Sequence, residues 1–296
     1  MLKISDVVQE FRTGFFRKRT IALKGVSLVV PEKSVFGFLG HNGAGKTTLI
    51  QAIVGNREPV SGSVTLNGIP TNSVEARQKL GYLPERPYFY SHLTAERFLR
   101  HFAILSEVPE DQIASRIKKT LESVGLSHAI DKELGHFSKG MLQRIGIGQA
   151  ILHDPDFIVL DEPMSGLDPN GRRDIRELIH QLSREGKTIF FSTHVVSDVE
   201  AICDRVAIID HGEIRYCGKI SELVDPKTKW IEIGVLKQSK ELPEPLKEYD
   251  CHSFDDLWIV KMPLHSQWNE DIKRWIERGL RIQFATPRKP SLEELL

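Results

Sequence analysis

Val35-Phe36-Gly37-Phe38-Leu39-Gly40-His41-Asn42-Gly43-Ala44-Gly45-Lys46-Thr47-Thr48 is the stretch on which the fold turns. A short apolar run leads into a glycine-rich turn, and Thr47 to Val54 then carries a helical pattern. Gly40 to Thr47 satisfies G-x-x-x-x-G-K-[ST] in the required setting, after a strand and before a helix. Glycines at these positions let backbone N–H groups turn inward around phosphate oxygens, and the helix N-terminus adds the positive end of its dipole. Lys46 supplies a mobile point charge for terminal phosphates, and the Thr47 hydroxyl is of the type that ligates Mg²⁺. An accidental glycine-rich turn is a poor rival, because the pattern and its context agree at every position.

Partner carboxylates lie downstream. Phe157-Ile158-Val159-Leu160 is a buried-strand run that ends in Asp161-Glu162. A rigid strand holds Asp161 where it helps fix Mg²⁺, and Glu162 is placed to polarise an attacking water. An apolar run ending in two acids usually marks only a strand reaching the surface. Combined with the phosphate loop, it predicts a P-loop nucleoside triphosphatase.

Outward from these motifs, Ile21 to Val30 reads as a strand, and Ser63 to Leu66 followed by Asn67-Gly68 reads as a hairpin. Ser91 to Leu126 is helical in pattern. Thr188 to Phe191 is a second buried strand, separated from the first by a helix over Arg172 to Arg184. Continuous apolar strands alternating with helices predict a covered, largely parallel sheet. Val206 to Ile209, the His211-Gly212 turn and Ile214 close it with a hairpin. Beyond Ser221, strands at Lys229–Ile233, Leu257–Val260 and Leu280–Phe284 surround a helix over residues 267–278. On that helix Trp268, Ile272, Trp275 and Ile276 share one face, which reads as core. Ser291-Leu292-Glu293-Glu294 has capping-box spacing. Residues 1–220 are thus expected to form one domain, with a helical part over about 86–155, and residues 221–296 a small α+β appendage.

The 40 basic and 40 acidic residues cancel, which argues against nucleic acid as a partner. Cys203, Cys217 and Cys251 are scattered and odd in number, so no disulfide framework or metal spacing follows. Met1 to Asp6 carries no apolar signal-type run, and no apolar stretch approaches the ~18 residues that span a bilayer. If the protein serves a membrane, another chain is expected to cross it.

Three further segments resemble the ABC (ATP-binding cassette) ATPases. Phe137-Ser138-Lys139-Gly140-Met141-Leu142-Gln143-Arg144 resembles the family's signature and its helix, Ser165-Gly166-Leu167-Asp168 its D-loop, and Thr193-His194 its switch histidine. Order and spacing agree: 92 positions separate Lys46 from Ser138, 23 separate Ser138 from Asp161, and 33 separate Asp161 from His194. The resemblance covers about residues 1–220. It implies an α/β cassette with a mostly parallel core sheet, an antiparallel β subdomain and a helical subdomain. It implies ATP and Mg²⁺ as cofactors, with Glu162, His194 and Lys46 catalytic and Thr47, Glu85 and Asp161 at the metal. It implies nucleotide contacts from Gly40, His41, Asn42, Gly43, Ala44, Gly45, Lys46, Thr47, Thr48, Ser138, Lys139, Gly140, Asp161, Asp168 and His194. Each nucleotide would lie between one phosphate loop and the signature of a second cassette, in a dimer expected to be homomeric. Asp168 would communicate across that dimer.

The sequence departs from the family pattern at Lys139, where Gly is common, and at Met141, where Gln is common. In Gly81-Tyr82-Leu83-Pro84-Glu85, Glu85 stands where the Q-loop has Gln. A carboxylate there binds Mg²⁺ more strongly than an amide and adds charge beside the triphosphate. For the adenine platform Phe11, Phe15 and Phe16 compete, and Phe11 is preferred. The Tyr82-Leu83-Pro84-Glu85 and Ser138-Lys139-Gly140-Met141 variants, with Pro290-Ser291-Leu292-Glu293-Glu294, are similar to cassette subunits of ABC-2-type exporters. Such subunits work on a separate membrane permease at the cytoplasmic face of the membrane, and a groove near Glu85 to Leu93, with Pro87-Tyr88-Phe89-Tyr90, would receive it.

Two other classes compete with this one. Soluble ABC proteins of translation or DNA repair usually carry two cassettes, a coiled coil, zinc cysteines or a basic surface, none of which is visible here. An importer's cassette subunit usually keeps Gln in the Q-loop. A catalytically dead scaffold is argued against by Lys46, Asp161, Glu162 and His194 together. The reading is therefore an ATPase that dimerises on ATP and drives export.

Overall fold

The computed structural model describes residues 1–13, 18–223, 230–239, 241–263 and 268–288. They form two compact units, residues 1–220 and 221–295. In the first unit, β1 (Leu2–Thr13) and β2 (Lys18–Val30) pair antiparallel. Then come β3 (Val35–Leu39), α1 (Lys46–Ile53), β4 (Ser61–Leu66), β5 (Ile69–Pro70), α2 (Val74–Gln78) and β6 (Leu80–Leu83). Three helices follow, α3 (Ala95–Leu105), α4 (Glu110–Ser123) and α5 (Lys139–Ile151). The chain returns through β7 (Phe157–Asp161), α6 (Pro169–Arg184), β8 (Thr188–Thr193), α7 (Val196–Ile202), β9 (Arg205–Asp210) and β10 (Glu213–Lys219), after which α8 (Ile220–Leu223) begins at the last residue of this unit.

Two sheets result. One is antiparallel, in the order β2-β1-β4-β5. The other runs β10-β9-β3-β8-β7-β6, parallel except for the β10 edge. Every residue of β3, β7 and β8 is buried, as the unbroken apolar runs require of strands covered on both faces. Phe190 anchors this core between Phe36 and Phe38, with ring centroids 5.8 and 5.4 Å away. Register carries the functional consequence. Leu39 pairs with Thr193 and Asp161 with Ser192, so the carboxyl ends of β3, β7 and β8 finish side by side. In parallel α/β sheets this rim is where ligands bind.

The hairpin expected at Asn67-Gly68 forms, with φ of 52° and 81° at the two turn residues. The helix expected from Arg172 starts earlier, at Pro169. Asp168 caps it, its Oδ1 accepting the Gly171 N–H at 2.9 Å, and proline at the first position needs no partner for an N–H it lacks. Strands β1 and β6 and the two-residue edge strand β5 go beyond the elements read from the sequence.

The second unit holds β11 (Trp230–Leu236), β12 (Asp250–Phe254), β13 (Leu257–Pro263), α9 (Trp268–Glu277) and β14 (Ile282–Arg288), the strands ordered β12-β13-β11-β14. Trp275 is buried against Ile231, Ile233, Val260 and Met262, and Trp268 and Ile272 pack at the edge of that cluster. Ile276 does not belong to the buried face. It is 56% exposed, because the side chain next to Trp275 on a helix is turned by about 100°. The strand expected from Leu280 starts at Ile282, after Gly279 has turned with φ 85°. The capping-box segment and Pro290 lie outside the described residues. No described helix is long and apolar enough to cross a membrane.

Candidate functional site

The phosphate loop follows β3 directly. Gly40 donates its N–H to the Thr193 carbonyl at 3.3 Å, which ties the loop to the end of β8. A Cβ at Gly40 would stand 2.5 Å from the Ile209 carbonyl oxygen, so only glycine fits there. Gly45 turns into α1 at φ 114°, a conformation costly for any residue with a Cβ, and leaves the first N–H groups of the helix free of a side-chain cap. Lys46 is almost fully buried. Its Nζ donates to the Gly40 carbonyl at 2.8 Å and the His41 carbonyl at 3.2 Å, folding the ammonium back across its own loop.

Asp161 and Glu162 sit opposite. Adjacent residues of a regular strand point to opposite faces. Here Glu162 adopts φ 49°, which breaks the alternation and brings both acids to the loop. Such a conformation in a non-glycine residue costs on the order of 1–2 kcal/mol. The Ser192 hydroxyl organises the pair. It donates to Asp161 Oδ1 at 2.6 Å and accepts the Glu162 N–H at 3.0 Å. Glu162 Oε1 lies 3.3 Å from Lys46 Nζ, an ion pair without hydrogen-bond alignment, and Glu162 Oε2 faces His194 Nδ1 at 3.0 Å.

Burial pushes the Asp161 carboxyl above its ordinary range, and the charges of Glu85 and Glu162 push it the same way. The hydrogen bond from Ser192 acts against them, as does the nearby Thr47 hydroxyl. Asp161 Oδ2 is buried with no hydrogen-bond partner. Two carboxylates with an orphaned oxygen, a third acid within electrostatic reach and a threonine hydroxyl form a hard-oxygen donor set, which fits a small divalent cation such as Mg²⁺. Tyr82 feels the same charge. Burial and Asp161 push its phenol up to about 12, while Gln51 donates to the phenol oxygen at 3.1 Å.

A cleft of about 330 Å³ opens over these groups, lined by Asn42, Gly43, Gly45, Lys46, Thr47, Thr48, Glu85, Glu162 and His194. Ala22 and Ser165 also line it, and neither was expected. Ser192 is the more consequential omission, a lone hydroxyl at the end of an apolar strand. Gly40 and Ala44 are buried behind the cleft, and the His41 side chain points away from it, toward Asp210. Phe11 does not line the cleft; the Arg57 guanidinium covers one face of its ring at 4.7 Å. Phe15 and Phe16 lie outside the described residues.

Ser138 and Asp168 each cap a helix. The Ser138 Oγ accepts the Met141 N–H at 3.2 Å at the start of α5, so the hydroxyl keeps its proton to donate. Lys139 reaches over to the D-loop, where its Nζ occupies the space a Cβ on Gly166 would need. Neither Ser138, Lys139, Gly140 nor Asp168 lines the cleft of the same chain. A larger hollow of about 590 Å³ between the end of α4, Arg144 and α6 contains none of the expected residues.

With this geometry in view, a family model for ABC transporters matches residues 23–165. An uncharacterised ABC transporter ATP-binding protein of Synechocystis is 38% identical over 98% of this chain and 81% of its own length. The chain belongs to the ABC transporter family. It is the ATP-binding subunit type, an ATPase of the α/β cassette fold, as the sequence motifs implied. The bacitracin transport ATP-binding protein BcrA of Bacillus licheniformis is 34% identical over 91% of this chain and 89% of its own. Among solved structures, an ATP-binding subunit of an ABC transporter superposes with TM-score 0.65 at 30% identity, covering 75% of this chain and 91% of that one.

Proposed function

We propose that this ABC ATPase subunit powers export through a separate membrane permease, closing on a second copy of itself when ATP is bound and opening after hydrolysis. The observation that carries the reading is the match to the bacitracin transport protein, which runs through both units rather than the cassette alone. The Tyr82-Leu83-Pro84-Glu85 segment supports it, since Glu85 lines the cleft where a Q-loop residue would report on the nucleotide. The exposed Tyr88 and Tyr90 next to it suit a protein contact at the cytoplasmic face of a membrane.

In this reading the loop N–H groups of residues 40–47 hold the phosphates, and Lys46 leaves the Gly40 and His41 carbonyls to reach them. Thr47, Asp161 and Glu85 would hold Mg²⁺, which supplies charge neutralisation at the phosphates when bound. Glu162 takes the proton of the attacking water, and His194, 3.0 Å from its Oε2, keeps that carboxylate in line. The Ser138 hydroxyl and the N-terminus of α5 do not face their own cleft, so they are assigned to the nucleotide of the partner cassette. Asp168, in the D-loop that Lys139 touches at Gly166, would carry the state of one site to the other.

The test is a pull-down of the tagged Glu162→Gln protein from detergent-solubilised native membranes in the presence of ATP, with partners identified by mass spectrometry. Stoichiometric recovery of an integral membrane protein of several spans is the expected result. Recovery with ribosomal or DNA-repair proteins alone would overturn export while leaving the ATPase intact.

A further inference from the structure

On the side of the phosphate loop away from the cleft, three side chains converge. His41 belongs to the loop, Asp210 ends β9, and His211 opens the turn to β10; one donor atom from each lies within 4.8 Å of the others. His41 Nε2 is 3.0 Å from Asp210 Oδ1, and His211 Nε2 is 3.7 Å from the same oxygen. The turn is already attached to the loop, because the Gly212 N–H donates to the Ala44 carbonyl at 2.9 Å.

The hydrogen bonding of His41 limits what this arrangement is. Its Nδ1 faces the Asn42 carbonyl at 2.7 Å and must donate to it. A neutral ring then turns the lone pair of Nε2 toward a carboxylate oxygen 3.0 Å away, which sets two acceptors against each other. A cation between them removes the conflict. An N–H···O=C bond from the far ring nitrogen is also the usual outer support of a metal-bound imidazole, since it fixes the tautomer. Ligands about 2.0–2.1 Å from a tetrahedral ion stand roughly 3.3–3.4 Å apart, and the observed 3.0 and 3.7 Å separations fall on either side. His41 and His211 are 46% and 73% exposed, so both rings are free to complete the approach. Arg215 occupies the other carboxylate oxygen, Oδ2, at 3.3 Å and leaves Oδ1 to the histidines.

We propose that His41, Asp210 and His211 form a site for a divalent transition metal of the Zn²⁺ class, which clips the β9–β10 turn to the outer face of the phosphate loop. Two imidazoles and one carboxylate select such an ion over Mg²⁺ or Ca²⁺, which take oxygen ligands. The site is distinct from the expected Mg²⁺ ligands and does not depend on export. Its effect is to hold His41, and with it the first half of the loop, in one position before nucleotide arrives.

The experiment uses metal-stripped, tag-free, full-length protein without nucleotide at pH 7.5, because ATP itself chelates the probe. Zn²⁺ is titrated against a chromophoric chelator, and Co²⁺ is followed by its visible absorption. One equivalent of Zn²⁺ is expected, with binding weakened at least about ten-fold in His211→Ala and in Asp210→Asn, and recovered in His211→Cys. Circular dichroism establishes that each variant is folded. Equal Zn²⁺ binding by wild type and both variants would place the metal on other histidines and overturn the proposal. Absence of Zn²⁺ binding by folded wild type would overturn it too.

Discussion

Asp161→Asn should make the nucleotide-free protein more stable, although it removes an acid from the catalytic rim. Asp161 is 1% exposed, one of its oxygens has no partner, and Glu85 and Glu162 add negative charge nearby. An asparagine keeps an oxygen for the Ser192 hydroxyl and turns an N–H₂ toward the neighbouring acids. Relieving a buried, unpaired acceptor is worth about 1–3 kcal/mol. At about 2–4 °C per kcal/mol for a unit of this size, Tm should rise by several degrees at pH 8. The sign of the pH dependence follows from the native carboxyl lying above its ordinary 3.8. The native state holds this proton more tightly, so Asp161's contribution is fully present below the ordinary value and is lost as pH rises through the native one. The gap between variant and wild type should therefore close toward pH 4 and widen toward pH 8. Thermal melts across that range, with and without ATP and Mg²⁺, provide the assay. Nucleotide with metal should stabilise wild type and have much less effect on the variant. A variant less stable than wild type at pH 8, or a gap that does not vary with pH, would refute the claim that Asp161 is an electrostatically strained carboxylate.

Other substitutions probe the same rim. Ser192→Ala removes the hydroxyl shared by Asp161 and the Glu162 N–H, so it should cost about 1–3 kcal/mol in a denaturation curve and lower turnover by misplacing Glu162. Glu162→Gln should retain ATP binding and reduce turnover by about 10²–10⁴-fold, read from single-turnover hydrolysis. Gly40→Ala sets a methyl 2.5 Å from the Ile209 carbonyl and should destabilise the fold by about 1–3 kcal/mol while weakening nucleotide binding by equilibrium titration. Arg172→Ala strands the buried Asp198, whose Oδ2 lies 2.6 Å from that guanidinium, and should cost about 3–5 kcal/mol in the same denaturation measurement.

Much of this protein is encoded in short stretches whose chemistry is local. The loop over residues 40–47 needs glycines, a lysine and a threonine in a set order, and Phe157 to Asp161 needs a buried strand ending in acid; both are readable because neighbours in sequence do the work. The start of α6 lies three residues before the expected Arg172, at Pro169, where Asp168 supplies the cap and proline needs no N–H partner. Other features depend on residues far apart in the chain. Strand register sets Asp161 against Ser192, and no local pattern marks Ser192 as the hydroxyl that organises two acids. The left-handed turn at Glu162 is imposed by that pairing and runs against its intrinsic preference. Ile276 shares its periodicity with the Trp275 face, yet the width of the packed stripe leaves it in solvent. His41 and His211 are 170 positions apart, and they meet because β3 and β9 are parallel neighbours whose ends coincide. Period and motif are properties of neighbouring residues, whereas a shared hydroxyl, a strained backbone or a convergent pair of imidazoles exists only once the sheet has closed its register.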